Sequence, residues 1–324
     1  MVCLICLAIW AIALYYIFRY IWELIPVGDL KNKVVFITGC DSGFGRLLAI
    51  KCAKNGIPVF AGCLTPEGQR SLEKETDGSP GKLTAVPLDI TQDESVIKAY
   101  KFVKEHLQPG QKLWALVNNA GVFSCHGPDA WCTIDQYKQA LEVNCYGMIR
   151  CTHGRIISVA SVAGRVSVPC GAPYAVAKYG VEAYMDAIRQ ELKPYGVKCS
   201  ILEPGAFKTN LLNKQAMEER VNRVWTQLSD ELQEEFGEEF KNDFVLKWNT
   251  ALHEIASDRF DYVVDNYYHG ITAKFPRARY RCGWDSLFFY IPLSYLPTEI
   301  QDYIMLKIIG KTALPAVLEK KKGN

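Results

Sequence analysis

The sequence predicts an α/β fold on a doubly wound parallel sheet, as one domain with an apolar helix before it and an apolar segment after it. Three observations carry this reading. From residue 33 onward, short β-rich apolar runs alternate with stretches of helical periodicity; the first run leads into a glycine-rich turn that opens a helix; and residues 1–18 contain no charge at all. The β-rich runs are 34–38, 59–63, 83–88, 113–118, 155–160 and 198–202, with helical patterns such as 46–55, 94–105 and 174–193 between them. Such alternation implies right-handed βαβ crossovers, and near-continuous apolar strands are expected when helices cover both sheet faces. The boundaries read as 1–25 for the leading helix, 28–283 for the domain and 284–324 for the trailing segment.

A run of about 18 apolar residues can cross a bilayer as a helix. Tyr15, Tyr16, Tyr20 and Trp22 sit beside Arg19 where an interfacial aromatic belt would lie. No positive stretch precedes the run and no small-x-small site follows it, so it reads as a retained anchor rather than a cleaved signal. Arg19, Lys31 and Lys33 follow it, which places the main domain on the cytosolic side. The tail Lys320-Lys321-Lys322-Gly323-Asn324 resembles a dilysine retrieval signal, which implies the endoplasmic reticulum membrane; a plain solvated basic tail is the competing reading.

With 49% hydrophobic and 22% charged residues in 324, the chain can build a large core and is not disordered. A net charge of +2, without a basic stripe, gives no case for a nucleic-acid partner. The twelve cysteines are scattered without a ladder of regular spacing, so they read as small buried hydrophobes in a reducing compartment, and no metal site is expected. The acidic stretch 217–240 reads as a solvated helical face. For 284–309, rich in Phe, Tyr, Leu, Ile and Pro, two readings stand: late core, or a second membrane-contacting surface.

The first βα turn is Thr38-Gly39-Cys40-Asp41-Ser42-Gly43-Phe44-Gly45. Glycines there let the backbone turn tightly and approach a pyrophosphate, whose charge rests on the free N–H groups of a helix N-terminus. In a doubly wound sheet the ligand lies beyond the carboxyl ends of the strands, where Asp89 and Asn118-Asn119-Ala120-Gly121 fall. Farther on, Tyr174 and Lys178 share one helix face, one turn apart. The ammonium is expected to draw the phenol toward neutrality and make it a general acid/base. The same spacing occurs at Tyr100/Lys104 and Tyr303/Lys307. Only Tyr174 has a serine thirteen residues upstream, Ser161 at a strand end; the corresponding positions are Pro87 and Tyr290.

With these residues in place, the chain resembles the short-chain dehydrogenase/reductase family, with its Rossmann-like fold, over about residues 33–283. The motifs are Thr-Gly-x-x-x-Gly-x-Gly at 38–45, Asn-Asn-Ala-Gly at 118–121, Ser161, Tyr-x-x-x-Lys at 174–178, and Pro204-Gly205 with Thr209. More narrowly, the 38–45 loop, 178–183, 203–205, 276–280, Trp284-Asp285 and 292–297 look like the membrane-bound retinol dehydrogenase and hydroxysteroid dehydrogenase branch. The resemblance implies that Tyr174 is the acid/base. Lys178 would tune it and hold the nicotinamide ribose, Ser161 would orient the substrate oxygen, Asn144 would hold a relay water, and Thr209 would contact the carboxamide. Thr38, Gly39, Asp41, Ser42, Gly43, Phe44, Gly45, Asp89, Asn118, Ala120, Gly121, Pro204 and Gly205 would line the dinucleotide. The implied activity moves a hydride between NAD and a lipophilic alcohol or ketone such as retinol or a 3α- or 17β-hydroxysteroid.

NAD is favoured over NADP because Asp41 would repel a 2′-phosphate, although Gly62-Cys63-Leu64-Thr65 offers neither the usual acid nor an arginine. One departure stands out. Only sixteen residues separate Asn144 from Ser161, roughly ten fewer than the family pattern. The helix after Asn144 should be stunted and leave apolar surface on its neighbours uncovered, so a catalytically impaired cofactor- or lipid-binding scaffold is the alternative reading. The sequence leaves a homodimer open.

Overall fold

The computed structural model describes residues 2–152, 155–309 and 313–322. Seven strands form one parallel sheet: β1 (Lys33–Thr38), β2 (Val59–Cys63), β3 (Leu83–Pro87), β4 (Lys112–Asn118), β5 (Arg155–Val159), β6 (Cys199–Pro204) and β7 (Arg279–Cys282). Their order is β3-β2-β1-β4-β5-β6-β7. The register pairs Val35 with Val59 on one side of β1 and Ala115 with Val35 on the other. Val34, Val35 and Ile37 are fully buried, as a strand covered on both faces requires.

Helices α1 (Val2–Glu23), α2 (Gly43–Lys54), α3 (Pro66–Glu75), α4 (Asp93–His106), α5 (Ile134–Leu141), α6 (Gly147–Arg150) and α7 (Ala172–Glu191) alternate with the first six strands. Between β6 and β7 the chain inserts α8 (Lys214–Trp225), α9 (Asp230–Phe236), α10 (Glu238–Ile255) and α11 (Asp261–Thr272). After β7 come the short α12 (Ile291–Leu293), then α13 (Thr298–Ile309) and α14 (Ala316–Lys322).

Between Ile5 and Trp22 helix α1 is largely solvent-exposed, with a mean hydropathy of 1.7 over 5–23; among the described residues it is the one helix long and apolar enough to span a membrane. Its base is docked rather than tethered. Glu23 is 7% exposed and pairs with Arg19 at 2.8 Å and Arg277 at 2.6 Å. Its carbonyl lies 2.9 Å from the His269 ring, and Val27 N–H donates to the Thr272 carbonyl. This docking lies at the amino ends of the strands. There Arg155, stacked 4.3 Å over Trp114, donates to the carbonyls of Gly270, Ile271 and Ala273 at the end of α11.

The reading of 217–240 as a solvated face is corrected. Its glutamates are exposed, but Met217, Val221, Val224, Trp225, Phe236 and Phe240 turn inward. They close around Trp131, which meets Trp225 at 5.2 Å and Phe236 at 5.4 Å. The charges mark only the outer side of amphipathic helices. Segment 284–309 divides between its two readings: Ile291, Leu293 and Met305 are core, whereas Trp284, Phe288, Tyr303 and Leu306 are exposed. Cys40, Cys52, Cys63, Cys145, Cys151, Cys199 and Cys282 are buried thiols. The terminal Gly323-Asn324 of the dilysine reading, and His153-Gly154, lie outside the described residues.

The helix after Asn144 is stunted, as expected: a π-turn (Glu142–Tyr146) runs into the four-residue α6. Beside it a cavity of about 170 Å³ opens between Phe36, Leu88, Val96, Val103 and Leu116, and Ile97 and Tyr100 of α4 are half-exposed. Inserting about ten helix-forming residues after Arg150 should cover this surface at about 25 cal/mol per Å². The expected outcome is a higher melting temperature, by roughly 2–4 °C for each kcal/mol gained. Thermal denaturation of the detergent-solubilised chain measures it; an unchanged melting temperature would refute this account of α6.

Candidate functional site

The site is built where the sheet's winding reverses. Crossovers from β1 pass to β2 on one side, while β4 flanks it on the other, so a crevice opens above their carboxyl ends. Two residues stitch that seam. Thr38 Oγ1 accepts from the N–H groups of Asn119 and Ala120, each at 3.1 Å, and the Asn119 amide donates to the Thr38 and Gly39 carbonyls at 3.1 and 3.0 Å. Gly39 has φ +70°, and a Cβ there would fall 2.7 Å from the Ala120 backbone. Close approach of the two loops therefore requires glycine at this position.

A cavity of about 1070 Å³ occupies the crevice, at the top of the range for a single small-molecule site. Gly39, Asp41, Ser42, Gly43, Phe44, Asp89, Ala120, Gly121, Pro204, Gly205 and Thr209 line it, and so do Asn144, Ser161, Tyr174 and Lys178. The remaining expected residues lie beneath. Thr38 and Asn118 are buried supports, and Gly45 packs so tightly that a Cβ would come within 2.4 Å of the Asn119 amide. The open N-terminus of the twelve-residue α2, with Gly43 at φ +62°, is a cradle for an anionic pyrophosphate. The residues present thus fit a dinucleotide.

Asp41 is not a free carboxylate. It accepts from Leu64 N–H and Thr65 N–H at 2.8 Å each and from Thr65 Oγ1 at 2.7 Å, tying the glycine loop to the end of β2. Asp285 does the same for the loop after β6, accepting from Ala206 N–H at 2.7 Å.

Ser161 caps the turn after β5, accepting from Ala163 N–H at 3.2 Å, and lies close enough to the Tyr174 hydroxyl to influence it. Lys178 Nζ donates to the Val159 carbonyl at 3.1 Å and lies 5.6 Å from the centre of the Tyr174 ring. Asn144, presented by the π-turn, makes a reciprocal pair with Val122: its Oδ1 accepts at 2.8 Å and its Nδ2 donates at 2.9 Å. The shortened α6 therefore leaves all four side chains on one cavity, and the impaired-scaffold alternative finds no support here.

One expectation is overturned. The Tyr174 phenol is not drawn toward neutrality: burial pushes it up to about 12, and Ser161 opposes this only in part. Lys178 is itself pushed down to about 8 by burial, with Glu182 and Cys145 pulling the other way. Burial decides the sign here, and the Lys178 ammonium, which spends a hydrogen bond on the Val159 carbonyl, does not offset it.

Sequence reasoning missed the wall of the cavity. Phe123 stacks on Tyr174 at 4.8 Å, and His126, Arg220, Trp248, Tyr290, Met305 and Ile308 line the side away from the glycine loop. Phe123 and His126 follow β4 directly, at the edge where ligands bind, so their position was a signal. The contributions from α8, α10 and the C-terminal segment had none.

Comparison with known proteins agrees with this geometry. Residues 33–220 match the family model described as short chain dehydrogenase. The chain is 44% identical, over 95% of its length and 84% of the relative's, to a 3beta-hydroxysteroid dehydrogenase, dhs-16, of Caenorhabditis elegans. It is 39% identical to retinol dehydrogenase 7 of Rattus norvegicus, covering 91% of this chain and 94% of that one. The fold is that of actinorhodin polyketide ketoreductase, crystallised with NADPH, at a TM-score of 0.59 and 23% identity over 76% of this chain and 92% of that one. The chain therefore belongs to the short-chain dehydrogenase family, as an oxidoreductase that uses a nicotinamide cofactor.

Proposed function

We propose that this chain oxidises the hydroxyl group of a lipophilic alcohol, a hydroxysteroid or a retinoid, with NAD, while anchored in the endoplasmic reticulum membrane with its catalytic domain in the cytosol. The single observation that carries the reaction is the meeting of Ser161, Tyr174 and Lys178 on one large, largely apolar cavity. A nicotinamide cofactor, held by the glycine loop and Lys178, would supply the hydride acceptor for the carbinol carbon. The chain's own residues handle the proton and the geometry. Ser161 holds the substrate oxygen, the Tyr174 phenolate takes its proton, and the Lys178 ammonium stabilises that phenolate and holds a ribose hydroxyl. Asn144 fixes the Val122 backbone that forms one rim of the cavity.

The substrate class rests on the names of the relatives and on the lining. Phe123, Trp248, Tyr290, Met305 and Ile308 offer an apolar bed, and an α1 without charge up to Phe18 suits molecules that partition into a bilayer. The preference for NAD rests on Asp41. Its carboxylate, held at the end of β2, places negative charge where an adenosine 2′-phosphate would have to sit.

The direct test is a panel of steroids and retinoids on membranes bearing the chain, with NAD and NADP. Tyr174→Phe should lower kcat by about 10²–10⁴ while cofactor binding persists; full activity in this variant would refute the assignment. The pH profile is a sharper check. The competent form needs Tyr174 without its proton and Lys178 with its own, and these groups lie near 12 and 8. Below pH 8 only the phenolate fraction changes, so log kcat/KM for oxidation should rise by about one per pH unit. Above pH 8 loss of the ammonium offsets the gain and the profile flattens. Lys178→Arg, which keeps its charge, should let the rise continue past pH 8.

Cofactor choice is separately testable. Asp41→Ala should raise the ratio of kcat/KM with NADP to that with NAD by about tenfold or more, in line with removing a charge clash of about 1.4 kcal/mol. An unchanged ratio would remove Asp41 from that role.

A further inference from the structure

In the buried part of the cavity wall opposite the glycine loop, one polar ring stands among aromatic side chains. His126, in the loop after β4, is 3% exposed and lines the cavity. Three rings enclose it: Phe123 at 5.7 Å, Phe244 at 5.1 Å and Trp248 at 5.2 Å. Burial, and next the positive charge of Arg220, hold its imidazole down to about 3, so the ring is neutral. The Cys170 carbonyl lies close enough to influence it, yet neither ring nitrogen makes a hydrogen bond of normal geometry to the described residues.

Arg220, on α8, approaches the same point, with its guanidinium 5.9 Å from the Phe123 ring. It donates to the Leu211 carbonyl at 2.8 Å and to the Met217 sulfur, and among the described residues it has no carboxylate within ion-pair distance. Four further charged residues along the cleft, Glu219, Arg223, Lys247 and Glu254, are solvent-exposed.

A buried imidazole with both nitrogens unpaired is rare, because each lost hydrogen bond to water goes uncompensated. Here the deficit lies at the edge of a ligand cavity, next to a cation with spare donors. Phe123 sets its place relative to the chemistry, since Tyr174 stacks on that ring and His126 meets it edge-on. The proton-transfer group and the imidazole are therefore neighbours of one phenyl ring, within the span of a polycyclic substrate.

We infer that His126 and Arg220 read a second oxygen, on the end of the substrate remote from the reacting hydroxyl. The alcohol this site prefers carries a ketone or hydroxyl there, as a hydroxysteroid does. Retinol, whose far end is a hydrocarbon ring, leaves both groups unpaired and is disfavoured. This inference rests on the dehydrogenase reading above.

The test uses the full-length chain in detergent with NAD and three alcohols: a 3-hydroxysteroid with a 17-keto group, the same steroid lacking the 17-oxygen, and all-trans-retinol. The wild-type chain should favour the 17-keto steroid over its deoxo analogue by ten- to a hundredfold in kcat/KM, with most of the difference in KM. His126→Leu should bring that ratio close to one, whereas His126→Gln, which still donates and accepts, should retain much of it. Equal kcat/KM for the two steroids in the wild type overturns the inference, as does a ratio that His126→Leu leaves unmoved. Binding followed by tryptophan fluorescence, with Trp248 against His126, decides the same question without turnover. The two readings fail differently. No oxidation of any of the three with NAD or NADP, while the 17-keto steroid still binds more tightly, refutes the dehydrogenase proposal. Turnover of all three without preference refutes only the role of His126 and Arg220.

Discussion

The whole site depends on the reversal of winding between β1 and β4, and on how the polar groups exposed there are satisfied. Where two crossovers diverge, strand ends present N–H and carbonyl groups that no helix covers. Thr38 and Asn119 satisfy most of them across the seam. The Tyr267 hydroxyl, from α11, completes the Asn119 amide by donating to it at 3.3 Å. Because the seam closes with side chains this short, the glycine loop lies against the loop after β4, and any Cβ at Gly39 or Gly45 would force them apart. The crevice is thus a product of buried hydrogen bonding, and its shape exists without a ligand.

The same dryness sets the chemistry. Tyr174 and Lys178 are both moved toward their neutral forms, in opposite directions. Behind Lys178 lies a buried cluster in which Arg279 bridges Glu182, Glu203 and Asp186, and Arg165 reaches Glu203 at 3.1 Å. Glu182 is pushed up to about 7, first by burial and then by Glu203. A pair of carboxylates this deep persists only because two guanidinium groups attend it. Its position joins α7 to β6 and β7, so the helix carrying Tyr174 and Lys178 is clamped to the sheet from behind. Precision at the proton-transfer end is thereby a property of the core.

Much of this was legible in the sequence, for physical reasons that differ by element. The strand 59–63 was found to the residue because five consecutive apolar positions flanked by a turn have few other meanings. Strand β7 was missed. Arg279-Tyr280-Arg281-Cys282 is an edge strand with two arginines, and Arg279 is half-buried through ion pairs that periodicity cannot anticipate. The stretch 217–240 misled because acidic residues dominate its count, while the aromatic side appears only once the helices fold onto Trp131. Motif spacing located Ser161, Tyr174 and Lys178. It could not give the sign of the tyrosine's shift, since that sign follows from water exclusion by Phe123 and its neighbours rather than from the distance to an ammonium.

The shortened α6 shows which parts of such a fold are specified where. The residues it lacks would return the chain to the amino ends of the strands, whereas Asn144, Ser161 and Tyr174 all sit at the carboxyl ends. The π-turn supplies the adjustment. An i→i+5 turn at 142–146 alters helical phase locally, at the point where Asn144 must meet Val122. Arg150 then ties the stub down through ion pairs to Asp93 and Glu142, both at 2.6 Å. The loss falls instead on α4, where Ile97 and Tyr100 remain half-exposed beside a small cavity. Shortening a crossover therefore takes stability from the far side of the sheet and leaves the geometry of the mouth intact, because strand ends and α7, rather than crossover length, fix that geometry.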